Sequence, residues 1–218
     1  IDTTDTKIRE QLQSWQQAKT QQFPMVWADL IQLSKELRQG FSANFFLIKG
    51  NEQDGLSQSK TTLNYLVNII QNRQIDSAEL EQHLQYLMNN PLPAKLWLSQ
   101  LTIAEHLNQS TEWLLQHTSD LQCSGSGSNK KMEYLTNVFQ QFFIEKIQPI
   151  GSQINHYQYQ LSPILEKMLA HPSVSPIFKN YINASSQQGF ENYQEATQQH
   201  IYFWQDLFKR CNIRPGKR

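Results

Sequence analysis

Apolar side chains recur three and four residues apart along nearly the whole sequence. Ile8, Leu12 and Trp15 fall at i, i+4 and i+7, and so do Leu80, Leu84 and Leu87. This is the period of a helix that buries one face. Only eight glycines and eight prolines stand among 218 residues. Thirty glutamines fill many of the remaining positions. Gln loses little side-chain freedom in a helix, and here it is scattered rather than run together, which argues against an aggregation-prone tract. The expectation is an all-α bundle of about eight to nine amphipathic helices, with no convincing strand and no repeat of fixed period.

Local signals place the expected boundaries. A first helix from Asp5 to about Gln21 ends at Phe23-Pro24, and a second runs from Pro24 to a stop at Gly40. Phe41 to Ile48 reads as strand or buried helix; helix is the expectation, because no partner strand is evident. Asp76, with Glu79 three residues on, resembles a capping box, and Ile75 with Leu80 fits a hydrophobic staple. Pro93 opens a helix with a break near Asn108-Gln109-Ser110. Met132, Leu135, Phe139 and Phe142 sit at heptad a/d spacing, and Pro149-Ile150-Gly151 should end that run. Ser162-Pro163 marks a kink or restart. Asn183 to Gly189 reads as a polar loop before the last helix.

Ser124 to Ser128 alternates Ser and Gly, a composition that resists helix and strand. It is a mobile loop within one domain, a joint between two helical pieces, or an engineered linker. It is also a charge boundary. Residues 1–123 carry nine Lys/Arg and thirteen Asp/Glu, and residues 124–218 carry ten and six. The expected organisation is an acidic helical half, 1–123, the 124–128 linker, and a basic helical half, 129–218, packed on the first. Neither half has the cation density that neutralising a phosphate backbone requires, so nucleic acid is not an expected partner. The tail residues Lys209, Arg210, Arg214, Lys217 and Arg218 read as solvated charges. No apolar run is long enough to span a bilayer. Cys123 and Cys211 could pair, and two free thiols fit equally well. The first residue is Ile1 rather than Met, which suggests a processed or truncated product. A cytoplasmic location is favoured, with a secreted or periplasmic one left open.

Residues able to do chemistry are sparse. None of the six histidines has Asp or Glu three residues before it, as a di-iron bundle needs. Glu79 and His83 share a face, as many solvent pairs do. Cys-x-x-Cys, a Gly-rich phosphate loop and a Gly-x-Ser-x-Gly elbow are all missing from the sequence. No metal or cofactor is therefore expected. His106 beside Glu105 makes a poor acid/base pair, since neighbours on a helix point apart. His200, within an aromatic stripe, reads first as a half-buried histidine with a hydrogen-bond partner.

The aromatics point further. Phe139, Phe142 and Phe143 cluster on one helix, and Phe203, Trp204 and Phe208 on the last. The first functional expectation is a non-catalytic interaction module, an adaptor, chaperone or complex subunit, that shows these six to a protein partner. Its bland counterpart is that they pack together as core. The second expectation is a bundle that encloses a small molecule between helices, as sensor or enzyme, with His200, Tyr193, Tyr157 and His156 lining the pocket. Oligomeric state is not legible.

Overall fold

The computed structural model describes residues 3–42, 46–50, 55–72, 75–119, 121, 123 and 130–213. The described residues are all-helical and contain no strand. Helix α1 covers 3–42 in two segments, Thr3–Leu33 and Lys35–Ser42. Hydrogen bonding continues across the gap: Ser34 N donates to Leu30 O at 3.3 Å, and Arg38 N to Ser34 O at 3.0 Å. The Ser34 hydroxyl accepts from Leu37 N at 3.3 Å, acting as an N-cap for the second segment. Helices α2 (Leu56–Asn72), α3 (Ser77–Asn89) and α4 (Leu92–Thr118) follow. Helix α5, 130–169, joins Lys130–Val138 to Gln148–Leu169 through a π-helical stretch, Phe139–Ile147. Helix α6, 176–210, joins Pro176–Asn183 to Gly189–Arg210 through a second π-helical stretch, Ala184–Gln188.

The described residues therefore form six continuous helices, and an expectation of eight to nine is too high. Several expected breaks do not occur, for physical reasons. Pro24 lies inside α1. A mid-helix proline frees the carbonyl four residues back, which here is Thr20, on a turn exposed to water. Just beyond it, Trp27, Ala28 and Ile31 are buried and hold the helix to the body. Pro163 is likewise internal, flanked by buried Leu161, Ile164 and Leu165. Asn108-Gln109-Ser110 is an exposed stretch of an unbroken α4, between buried Leu107 and Thr111. Pro149 and Gly151 open a new α-helical segment, because the π-helical turn before them passes the chain on without a loop. The expected polar loop at 183–189 is the second π-helical stretch. Its Ser186 carbonyl accepts from Gln158 Nε2 at 3.0 Å, and its hydroxyl lies 3.2 Å from the same nitrogen.

The 41–48 expectation is also corrected. Helix α1 ends at Ser42, 46–49 have no regular structure, and 43–45 lie outside the described residues. Ile48 is buried, and its amide donates to Ser99 Oγ on α4 at 2.8 Å rather than to a helical carbonyl. Gly40 does not stop its helix. It is buried, and a Cβ there would meet Leu87 Cγ at 2.8 Å, so glycine is what lets α1 and α3 cross so closely. The Ser124–Ser128 run, and Arg214, Lys217 and Arg218 of the basic tail, lie outside the described residues.

The cap expected at Asp76 is present, whereas Ile75 of the expected staple is exposed. Asp76 is the N-cap of α3: its Oδ1 accepts from Ala78 N at 2.9 Å and Glu79 N at 3.0 Å. Replacing Asp76 with Ala should cost about 1 kcal/mol, read as a lower midpoint at unchanged slope in urea unfolding.

One hydrophobic cluster draws on α1 to α6, from Trp27 and Ile31 through Leu63, Leu96 and Ile154 to Ala196. A second gathers Leu114, Met132, Phe203, Trp204, Leu207, Phe208 and Cys211. Helix α4 and the long segment of α6 run parallel and in register. Thr111 faces His200, Thr118 O accepts from Arg210 Nη2 at 3.0 Å, and Cys123 is joined to Cys211 by a disulfide. Deeper in, Gln100 Nε2 donates to Gln158 Oε1 at 3.0 Å, so a buried amide chain ties α4, α5 and α6 together. No helix among the described residues is long and apolar enough to cross a membrane.

Candidate functional site

His200 sits where α4, α5 and α6 meet, and it is only 5 % exposed. Trp204 Nε1, one turn on, donates to His200 Nε2 at 2.9 Å. Indole nitrogen is a donor only, so Nε2 is the unprotonated nitrogen and Nδ1 carries the proton. Nδ1 lies 2.8 Å from Thr111 Oγ1. The threonine hydroxyl passes its own proton to Leu107 O at 2.6 Å, a bond to the carbonyl four residues back. The result is a directed relay from indole to imidazole to hydroxyl to carbonyl, in which each polar atom has a partner. Burial holds the imidazole neutral, lowering its pKa to about 4. Phe143 packs on the same ring at a centroid distance of 5.0 Å. Both nitrogens are engaged, which leaves neither free to ligate a metal or to take a proton from a substrate.

Above this relay lies a cavity of about 390 Å³. Helix α4 supplies Ile103, Leu107 and Leu114 to its wall, the π-helical stretch supplies Phe139, Phe143 and Ile147, and Ile48 and Ile150 also line it. His200 and Trp204 form part of the lining, so the fully bonded relay presents ring surface rather than free polar atoms. Ser99 also lines it, and its hydroxyl is committed as donor to Lys95 O and acceptor from Ile48 N, each at 2.8 Å. At the mouth, Phe142 is 60 % exposed, and Leu47 and Val138 are exposed beside it. Thr102, His106 and Ser110 also line the cavity, spaced i, i+4, i+8 along one edge of α4.

The π-helical stretch shapes this wall. Gln148 N donates to Phe143 O, five residues back rather than four. The wider turn departs from the 3.6 period, and the heptad expectation fails here for that reason: Phe143 turns inward and Phe142 outward. π-Helical segments are rare and concentrate at functional sites.

The six aromatics expected to form a presented face are dispersed by the fold. Phe143, Phe203, Trp204 and Phe208 are buried, Phe139 is half-buried, and Phe142 alone is well exposed. Phe139 stands at the centre of the group, 5.1 Å from the rings of both Trp204 and Phe208. Burial against one another is what removes the four from the surface. Four of the six, Phe139, Phe142, Phe143 and Trp204, line the cavity instead. Of the four residues expected to line a pocket, His200 does so here. Tyr193 lines a second depression, of about 580 Å³, with Asn155 and Thr197, and burial pushes its phenol up from the usual value. Phe143 and Ile147 belong to both cavities and form the wall between them. Tyr157 is buried and accepts from Gln153 Nε2. His156 is exposed on the far side of the same turn and lines neither cavity.

Sequence reasoning missed Ile103, Ile147 and Ile150, which look like any other core positions. It also set His106 aside by weighing it against adjacent Glu105. The usable signal was the polar stripe Thr102, His106, Ser110, running beside apolar Ile103 and Leu107 on one helix. Among the described residues, no group of three or more His, Cys, Asp or Glu could hold a metal ion.

One family pattern covers nearly the full length of the chain. The chain belongs to the family described as "Protein of unknown function (DUF3080)", whose pattern matches residues 1–215. No curated protein and no solved structure matches it significantly.

Proposed function

We propose that this protein is a non-catalytic binding module whose working part is the apolar cavity between α4, the π-helical stretch of α5 and the His200–Trp204 floor. The observation that carries this reading is the cavity of about 390 Å³, within the range of small-molecule sites. Its deep polar atoms are all engaged with protein partners, and exposed apolar side chains, Leu47, Val138 and Phe142, form one side of its mouth. A site of that kind attracts apolar groups. The reading that six aromatics form a flat docking face has less support, because four of them are buried.

The test is fluorescence of N-phenyl-1-naphthylamine, which brightens in apolar surroundings. Saturable binding is expected, lost on Ser110→Trp, a change from the exposed rim that leaves the core intact. Absence of binding by the unmodified protein would refute the reading.

A macromolecular partner is a second reading, supported by a different element. Residues 5–22 of α1 are exposed throughout, and Ile8, Leu12 and Trp15, the last 56 % exposed, form one uncovered stripe. Such i, i+4, i+7 anchors suit a groove on a partner protein. Trp15→Ala would weaken that association and leave the naphthylamine titration unchanged.

The disulfide bears on location. Structural disulfides persist in oxidising compartments and are rare in the cytosol. Cys123–Cys211 therefore supports a periplasmic or secreted site of action over the cytoplasmic one favoured from sequence.

A further inference from the structure

We propose that the cavity receives the alkyl chain of a long-chain fatty acid, whose carboxylate rests on the Thr102–His106–Ser110 stripe. The inference rests on the cavity being a binding site and adds the chemistry of what enters it.

Three observations select a single hydrocarbon chain. First, the interior leaves no polar atom of its deep residues to spare: His200 is bonded at both nitrogens, and the Ser99 hydroxyl both donates and accepts. A ligand carrying polar groups along its length, such as a peptide or a sugar, would lose its water there and gain nothing in return. Second, about 390 Å³ accommodates a dozen or so methylenes, taking each to occupy the ~30 Å³ share of one liquid water. Third, polarity returns only at the mouth and only along one edge. Thr102, His106 and Ser110 lie one turn apart on α4, and among the described residues none of their side chains has a hydrogen-bond partner. Two hydroxyls and an imidazole in a row can hydrogen-bond a carboxylate that stays at the water boundary. Opposite them, Phe142, Val138 and Leu47 form an apolar lip that can close over the first methylenes. The site is thus apolar in depth, polar on one rim and open at that rim. That is the profile of an amphiphile with one tail and one small head.

The experiment displaces N-phenyl-1-naphthylamine from the intact protein with saturated fatty acids of increasing length, each below its micellar concentration. Affinity should rise about fourfold per added methylene and level off near a dozen carbons, where the cavity is full. The double variant Thr102→Val/His106→Leu should weaken dodecanoate at least fivefold more than it weakens the naphthylamine, which carries no carboxylate. Ser110→Trp should abolish binding of both. If the naphthylamine binds but no fatty acid displaces it, the fatty-acid inference fails and the cavity reading stands. If neither binds, both fail. If dodecanoate binds equally well to the Ser110→Trp protein, or if affinity does not depend on chain length, the chain lies elsewhere and the inference is overturned.

Discussion

Reducing the Cys123–Cys211 disulfide should lower the melting temperature by about 10 °C. The bond joins residues 88 apart in sequence, and closing a loop of that size restricts the unfolded chain by about 4.6 kcal/mol. For a domain of this length each kcal/mol shifts the midpoint by roughly 2–4 °C. The Cα atoms stand 4.9 Å apart, inside the usual range for a disulfide, because α4 and α6 arrive at that end in parallel. The loss should also be felt locally. Arg210 Nη2 caps the end of α4 through Thr118 O, and Leu114, Met132 and Leu207 are packed in the same cluster as Cys211. Thermal melts with and without a phosphine reductant, and of Cys211→Ser, measure the effect. Coincident melts would show that helix packing alone holds the two ends together.

Acid should destabilise the protein through His200 before the carboxylates titrate. In the unfolded chain the imidazole takes up its proton near pH 6.5, while in the fold it resists until about pH 4. Between those values the unfolded state binds more protons, so stability falls as pH drops from about 6.5 to about 4. This one group contributes no further loss below that. The shift corresponds to as much as about 3 kcal/mol, and less to the extent that water in the adjoining cavity screens the charge. The structural cost is specific: a proton on Nε2 turns an acceptor into a donor facing the Trp204 indole N–H. His200→Gln keeps an acceptor for Trp204 and a donor for Thr111 without titrating. It should flatten the stability profile over that window, as read from urea unfolding at half-unit pH steps. An unchanged acid limb in the variant would assign the sensitivity to other groups.

How much of this was legible from sequence depends on the range of the forces involved. The α3 cap could be read directly, because Asp76 bonds amides two and three residues away. Pro24 misled as a break, and Pro163 is not a restart, because the effect of a mid-helix proline is decided by what the next turn buries. Pro24 and Pro163 stay inside helices since Trp27, Ile31, Ile164 and Leu165 anchor the far side. The π-helical stretches are invisible to a search at a fixed 3.6 period, and the heptad reading of Phe139 and Phe142 erred on that account. Burial of Phe203, Trp204 and Phe208 was foreseeable as the bland alternative. Their spacing shows a stripe but not what covers it. The pairing of Cys123 with Cys211 needed the parallel register of α4 and α6, a relation between residues about ninety apart. The cavity combined all of these: an α4 edge, a π-helical wall and a floor from α6, none of which carries a motif.

If a hydrocarbon chain lies between α4 and the π-helical stretch, its contacts must be confined to that region. Methyl-detected NMR of the isoleucines, with dodecanoate added stepwise, reads this directly. Ile48, Ile103, Ile147 and Ile150 line the cavity, whereas Ile31, Ile154 and Ile182 are buried and line none of the described pockets. Shifts in the first group with the second group still would match a chain seated in the cavity. Shifts spread evenly over both groups, or none at all, would contradict it.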